Sequence, residues 1–140
     1  MMNEHRRPCG AHLVVFEAPD LLVVRFSGVI SIDDMQRIVL AAEELTGSQE
    51  YRVLYDATYS GSIAPEVRRW MATIKPSPWF RGAVTFGLAF PQRLVASMLM
   101  KAIARLKPHK QPLHICATED EARAWIDGER RHDVQTEASL

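Results

Sequence analysis

The sequence predicts an α/β domain that opens with a β-hairpin and continues as βα units, with four helices on a mostly parallel five-stranded sheet. Three observations predict it. Short apolar runs alternate with stretches whose apolar residues recur every three or four positions. The first two runs are separated only by a turn, whereas each later pair is separated by a helix, so the first pair is antiparallel and the rest parallel. The chain has 140 residues, 47% apolar and 24% charged, which suits one hydrophobic core and is too little for two.

The elements follow in order. Leu13-Val14-Val15-Phe16 is a short buried strand and Ala18-Pro19-Asp20 the turn after it. Leu21-Leu22-Val23-Val24-Arg25-Phe26 is the second strand, ended by Ser27-Gly28. Ser31 offers an N-cap oxygen to the first helix, with Asp33 and Asp34 complementing its dipole. Ile32, Met35, Ile38, Val39, Ala42 and Leu45 fall on one helical face, and Gly47 stops it. Arg52-Val53-Leu54-Tyr55 is the third strand, with Asp56 at its carboxyl end and a loop through Tyr59-Ser60-Gly61-Ser62.

Pro65 opens the second helix, whose stripe is Val67, Trp70, Met71 and Ile74, and Lys75-Pro76-Ser77-Pro78 stops it. Ala83-Val84-Thr85-Phe86-Gly87-Leu88 is the fourth strand. Pro91 opens a third helix carrying Leu94, Val95, Met98, Leu99, Ala102, Ile103 and Leu106, ended by Lys107-Pro108. Leu113-His114-Ile115-Cys116 is the fifth strand, and Thr118 with Glu121 forms a capping box for the last helix, with Ala122, Trp125 and Ile126 inward. The domain expected from these signals covers 12–128, between a flexible N-terminal segment, 1–11, and a polar tail, 129–140.

Composition excludes several classes. The 17 basic and 17 acidic side chains cancel, which argues against a broad electrostatic grip on nucleic acid. Cys9 and Cys116 form no CxxC pair, so neither a disulfide framework nor structural zinc is expected, and a cytoplasmic setting fits. The first residues are polar, without the apolar core of a secretion signal, and the apolar runs at 83–90 and 94–100 fall short of a membrane span.

The neutrality conceals segregation. Residues 1–66 carry a net −5, residues 67–118 carry nine basic side chains and no acidic one, and residues 119–140 carry −4.

Phe26-Ser27-Gly28-Val29-Ile30, the helix start Ser31-Ile32-Asp33-Asp34, the strand Val53-Leu54-Tyr55-Asp56 and the ending Thr118-Glu119-Asp120-Glu121-Ala122-Arg123-Ala124-Trp125-Ile126 carry a resemblance. With the element order, they resemble the STAS family, in particular its SpoIIAA-like branch of small stand-alone bacterial proteins. The features run from about His12 to Ile126, and none is a catalytic signature. The resemblance implies a non-enzymatic regulatory or scaffold module that binds a protein partner. In the antagonists of that family a serine in an Asp-Ser-x-Gly-like motif before the second helix is phosphorylated, which switches partner binding. Here Ser60-Gly61 is the nearest match, and Tyr59 stands where the aspartate would be.

Two candidate surfaces result. One is the hydroxyl-rich loop with Asp56, Thr58, Tyr59, Ser60 and Ser62, at the sheet end where open α/β folds bind ligands. The plainer reading is that Asp56 and Ser62 only satisfy local amides. The other is the acid-free segment, with Arg68, Arg69, Trp79, Phe80, Arg81, Arg93, Lys101, Arg105 and Lys107 as a basic, partly apolar face. It could meet an acidic partner, anionic lipid or an apolar ligand, or it could be a solvated face over an ordinary core.

A triad of Ser60, a histidine and Asp56 lacks a G-x-S-x-G elbow, and in a Cys116–His114 dyad on one strand face such a cysteine is more often a small core residue. Glu119-Asp120-Glu121 reads as first-turn helix charge and not as metal ligands, and no phosphate-binding glycine loop is present. No catalytic residue, metal or cofactor is therefore expected. A homodimer through a sheet edge or an apolar helix face is compatible with the pattern.

Overall fold

The computed structural model describes residues 5–75, 77–89, 91–94, 96–98 and 112–138. Its elements are β1 (Arg6–Cys9), β2 (His12–Glu17), β3 (Leu21–Ile30), α1 (Ile32–Thr46), β4 (Tyr51–Ile63), α2 (Pro65–Thr73), β5 (Phe80–Phe86), β6 (Leu113–Cys116) and α3 (Glu119–Ala138). Residues 91–94 and 96–98 are also helical, where the helix opening at Pro91 is expected. Most of that helix, with Lys101, Arg105 and Lys107, lies outside the described residues.

The strands lie side by side in chain order in one six-stranded sheet. β1–β2 and β2–β3 are antiparallel, while β3–β4, β4–β5 and β5–β6 are parallel. The hairpin and the parallel βα units are as expected, but the sheet has six strands instead of five. The added strand is β1, in the segment expected to be flexible. Arg6, Arg7 and Pro8 show no apolar alternation, and only Cys9 is buried. Its backbone pairing with 12–15 nevertheless makes it the sheet edge, where a proline is tolerated.

Burial on both faces explains why the central strands read as unbroken apolar runs. Leu22, Val24, Val53 and Ala83 face α1 and α2 and pack with Met35, Ile38, Ala41 and Val67. Leu21, Val23, Leu54, Val84, Phe86 and Cys116 face the other way and pack with Ala122 and Ile126 of α3. The helix ends form as their sequences imply. Ser31 Oγ accepts the Asp34 amide at 3.1 Å, and Gly47, at φ 58°, donates its amide to Glu43 O. Thr118 Oγ1 accepts the Glu121 amide at 3.2 Å.

Several expected boundaries move. β3 does not end at Ser27-Gly28 but continues to Ile30, and β4 runs through the expected loop to Ile63. α3 does not stop near Gly128 but continues to Ala138. One mid-helix glycine costs only about 1 kcal/mol, and the extension is anchored: Arg130 pairs with Asp20, and Asp133 with Arg52. No helix among the described residues is long and apolar enough to cross a membrane.

Candidate functional site

Beyond Arg25, β3 has no further partner residue on β2, and beyond Asp56, β4 has none on β5. The two strands go on together as a two-stranded parallel ribbon, residues 27–30 against 59–63. Within it β4 takes three residues where β3 takes two, between Asp56 and Tyr59 and again between Ser60 and Ile63. Such bulges twist a strand and re-aim its side chains. Gly61 is what lets the strands stay close, because a Cβ there would lie 2.9 Å from both the Gly28 carbonyl carbon and the Val29 nitrogen.

The expected switch loop is therefore a strand. Its composition concealed this, since hydroxyls and a glycine are turn signals when read locally. The signal that could have revealed it is the pair of apolar ends, Val29-Ile30 and Ile63, which bracket both hydroxyl-rich stretches. Tyr59 is 76% exposed, Val29 62% and Ile63 41%. Thr58 and Ser62 are exposed, whereas Ser60 is half-buried and its hydroxyl donates to Ala57 O at 2.9 Å.

Asp56 is buried at the root of the ribbon, where Oδ1 accepts the Thr58 amide at 3.0 Å and Oδ2 accepts from Arg25 Nη1 at 2.7 Å. Arg25 also donates to both carboxylate oxygens of Glu119, at 3.2 and 3.3 Å. Arg123 joins Glu119 at 2.9 Å and grips Glu17 with two bonds of 2.9 and 3.1 Å. The chain Glu17–Arg123–Glu119–Arg25–Asp56 thus ties the start of α3 to β2, β3 and β4 beneath the ribbon. Burial pushes the Asp56 carboxyl up, but the hydrogen bonds from Thr58 and Arg25 outweigh it and hold the group below its ordinary range. Hydrogen bonding from Arg25 does the same for Glu119, and from Arg123 for Glu17.

Carboxyls held low in the fold add stability that is complete above their ordinary values, about 4, and lost as the pH falls through the lowered ones. The urea midpoint should therefore drop as the pH is lowered from about 5 to about 3, and Glu119→Gln should flatten that limb. An equally steep limb in the variant would place the acid sensitivity elsewhere.

The basic face is only partly assembled among the described residues. Arg68 and Arg69 are exposed on α2, and Trp79 is exposed beside the start of β5. Phe80 departs from the expectation of a surface aromatic. It is the first residue of β5, half-buried against the α1 layer, with its ring 6.0 Å from that of Tyr51. Arg81 is not a free cation, because its guanidinium pairs with Glu50 from the acidic N-terminal part. Arg93 is half-buried next to exposed Leu94, while Lys101, Arg105 and Lys107 lie outside the described residues.

The Cys116 thiol is buried, is pushed up by that burial, and donates to Thr118 O. The exposed His114 ring stacks on Trp125 at 5.5 Å, with 5° between the planes. That arrangement leaves the pair without an activated nucleophile. Among the described residues no group of three or more His, Cys, Asp or Glu side chains could hold a metal ion.

No family model matches the chain, and no curated protein does. A solved structure does: an uncharacterized protein of the DUF3478 family with a SpoIIAA-like fold, from Shewanella loihica PV-4. It is 14% identical, the match covers 82% of this chain and 91% of that one, and the TM-score is 0.60. Together with the hairpin, the parallel βα units and the closing α3, this gives the chain a SpoIIAA-like α/β fold.

Proposed function

We propose that this chain is a non-enzymatic STAS-type regulatory module that binds a protein partner through the projecting β3–β4 ribbon. The observation that carries the reading is the exposure of Val29, Tyr59 and Ile63 together on one two-stranded element with a rigid, ion-paired root. Large apolar side chains left exposed on one short element, with hydroxyls around them, make a surface suited to a protein partner. The free, buried cysteines suit a reducing cytoplasm.

A phosphate on Ser60 would add about −1.5 to −2 of charge and remove the hydroxyl's bond to Ala57, so this serine is the proposed switch. The test uses native cell extract with wild-type bait and a Val29→Ser/Tyr59→Ala bait. Both side chains are exposed, so the variant keeps its fold. A protein retained by the wild type should be retained at least about tenfold less by the variant. Equal retention of the same proteins by both baits would count against the ribbon.

A second reading has its own observation: Leu94 and Met98, one helical turn apart, are 55% and 63% exposed beside Arg93. This is the geometry of a helix that can lie against anionic lipid. Sedimentation with anionic but not neutral vesicles, abolished by a combined Arg93→Ala, Lys101→Ala and Arg105→Ala variant, is the result this reading expects. No sedimentation with either vesicle would remove it.

A further inference from the structure

The side chain of His12, at the start of β2, is fully buried beneath the root of the ribbon. Its Nδ1 accepts the backbone amide of Ser27 at 2.9 Å, the residue with which β3 leaves the sheet and enters the ribbon. The last β2–β3 pair is Leu13 with Arg25, so at Ser27 an imidazole takes the place of a neighbouring strand's carbonyl. Because Nδ1 accepts, the ring's proton is on Nε2, which stands 3.3 Å from Asp34 Oδ2 of α1 without the alignment of a hydrogen bond.

We propose that His12 is a proton-operated latch on the ribbon. In the neutral state it holds Ser27 against the sheet, and in the charged state it lets residues 27–30 and 59–63 loosen. The reason is donor and acceptor arithmetic. Nε2 already carries a proton, so the second can enter only at Nδ1, which then turns an N–H toward the Ser27 N–H. Two donors face each other, and the buried amide of Ser27 is left to find water by moving outward. The carboxylate of Asp34 faces the ring from the other side, 3.3 Å from Nε2.

The other groups around the ring do not compete for this role. From β1, Cys9 stands opposite His12, and burial pushes its thiol up. Arg37, on α1 with Asp34, is a fixed positive charge that acts on that thiol. From β3, Phe26 meets the His12 ring edge-on at 5.7 Å, and behind it Tyr55 of β4 is pushed up to about 12 by burial. Imidazole is the group type among these that changes charge between about pH 5 and 8.

That the latch regulates partner binding rests on the reading of the ribbon as the binding surface, whereas the latch itself is tested without a partner. Amide hydrogen exchange is followed on the full chain at about pH 7.5 and about pH 5.5, corrected for the intrinsic pH dependence of exchange. The ribbon amides should lose at least about tenfold more protection than those of β5 and α3. His12→Asn, whose Oδ1 can still accept from Ser27 but cannot be charged, should remove the difference. Parallel loss in ribbon and α3, or an unchanged response in the variant, overturns the latch.

If the variant does not fold, nitrogen-15 spectra of the wild-type ring decide. The proton should lie on Nε2 in the neutral form, and the ring should charge over the range in which the ribbon loosens. A neutral form protonated at Nδ1, or a ring that stays neutral throughout, overturns it. A ribbon that responds to pH but engages no protein leaves the latch standing and removes only the partner reading.

Discussion

Replacing Leu54 by alanine should lower the stability of the fold by about 3 kcal/mol. Leu54 is fully buried in the middle of β4, between Val23 on β3 and Val84 on β5 by strand register. It belongs to the layer under α3, which includes Leu21, Phe86, Ala122 and Ile126. Truncation leaves a cavity that neighbouring strands, fixed by their ladders, cannot close, and α3 is held above it by the Arg25–Glu119 and Arg130–Asp20 pairs. Urea denaturation followed by circular dichroism measures the loss. A change below about 1 kcal/mol would mean that α3 settles into the gap and that this layer is loosely packed.

Replacing Gly87 by alanine should cost about as much, for a different reason. Gly87 follows β5 with φ at +86°, a conformation that side chains disfavour. An added Cβ would also lie 2.7 Å from the Thr58 nitrogen and 2.9 Å from its Cα. Because the obstacle is backbone, relief requires β4 to shift just where the ribbon begins, and strain plus displacement comes to about 3 kcal/mol. The same shift pulls the Thr58 amide from Asp56, so ribbon amides should lose protection before those of the sheet centre. A Gly87→Ala protein as stable as the wild type would show that the ribbon root is not held by this contact.

Much of this architecture can be read from residues because the physical signals are local. The Leu21-Leu22-Val23-Val24 run, the Ser31 cap, the Gly47 stop and the Thr118–Glu121 box each act within a few positions, and each forms as its chemistry dictates. What escaped is set by distant partners. β1 becomes a strand only because β2 pairs with it, and α3 outlasts Gly128 because Asp20 and Arg52 wait at the far end of the sheet.

The candidate site shows the same division. Asp56, Thr58, Tyr59, Ser60 and Ser62 do lie together at the carboxyl end of the sheet, but on a paired ribbon and not in a loop. Val29, Gly61, Arg25 and His12, which shape and hold that ribbon, come from three strands and share no motif. The charge segregation from which a basic face was expected is interrupted where it can be followed, since Arg81 meets Glu50 across the fold.

The ribbon's role is tested most directly by placing a photoreactive phenylalanine analogue at Tyr59 or at Val134 in the cells that make this protein. Both positions are exposed, at 76% and 65%. Val134, however, follows Asp133, which pairs with Arg52 at the opposite end of β4. Irradiation should join a discrete protein to the chain from position 59 and not from position 134. Crosslinks of equal yield from both positions, or from 134 alone, would contradict partner binding through the ribbon.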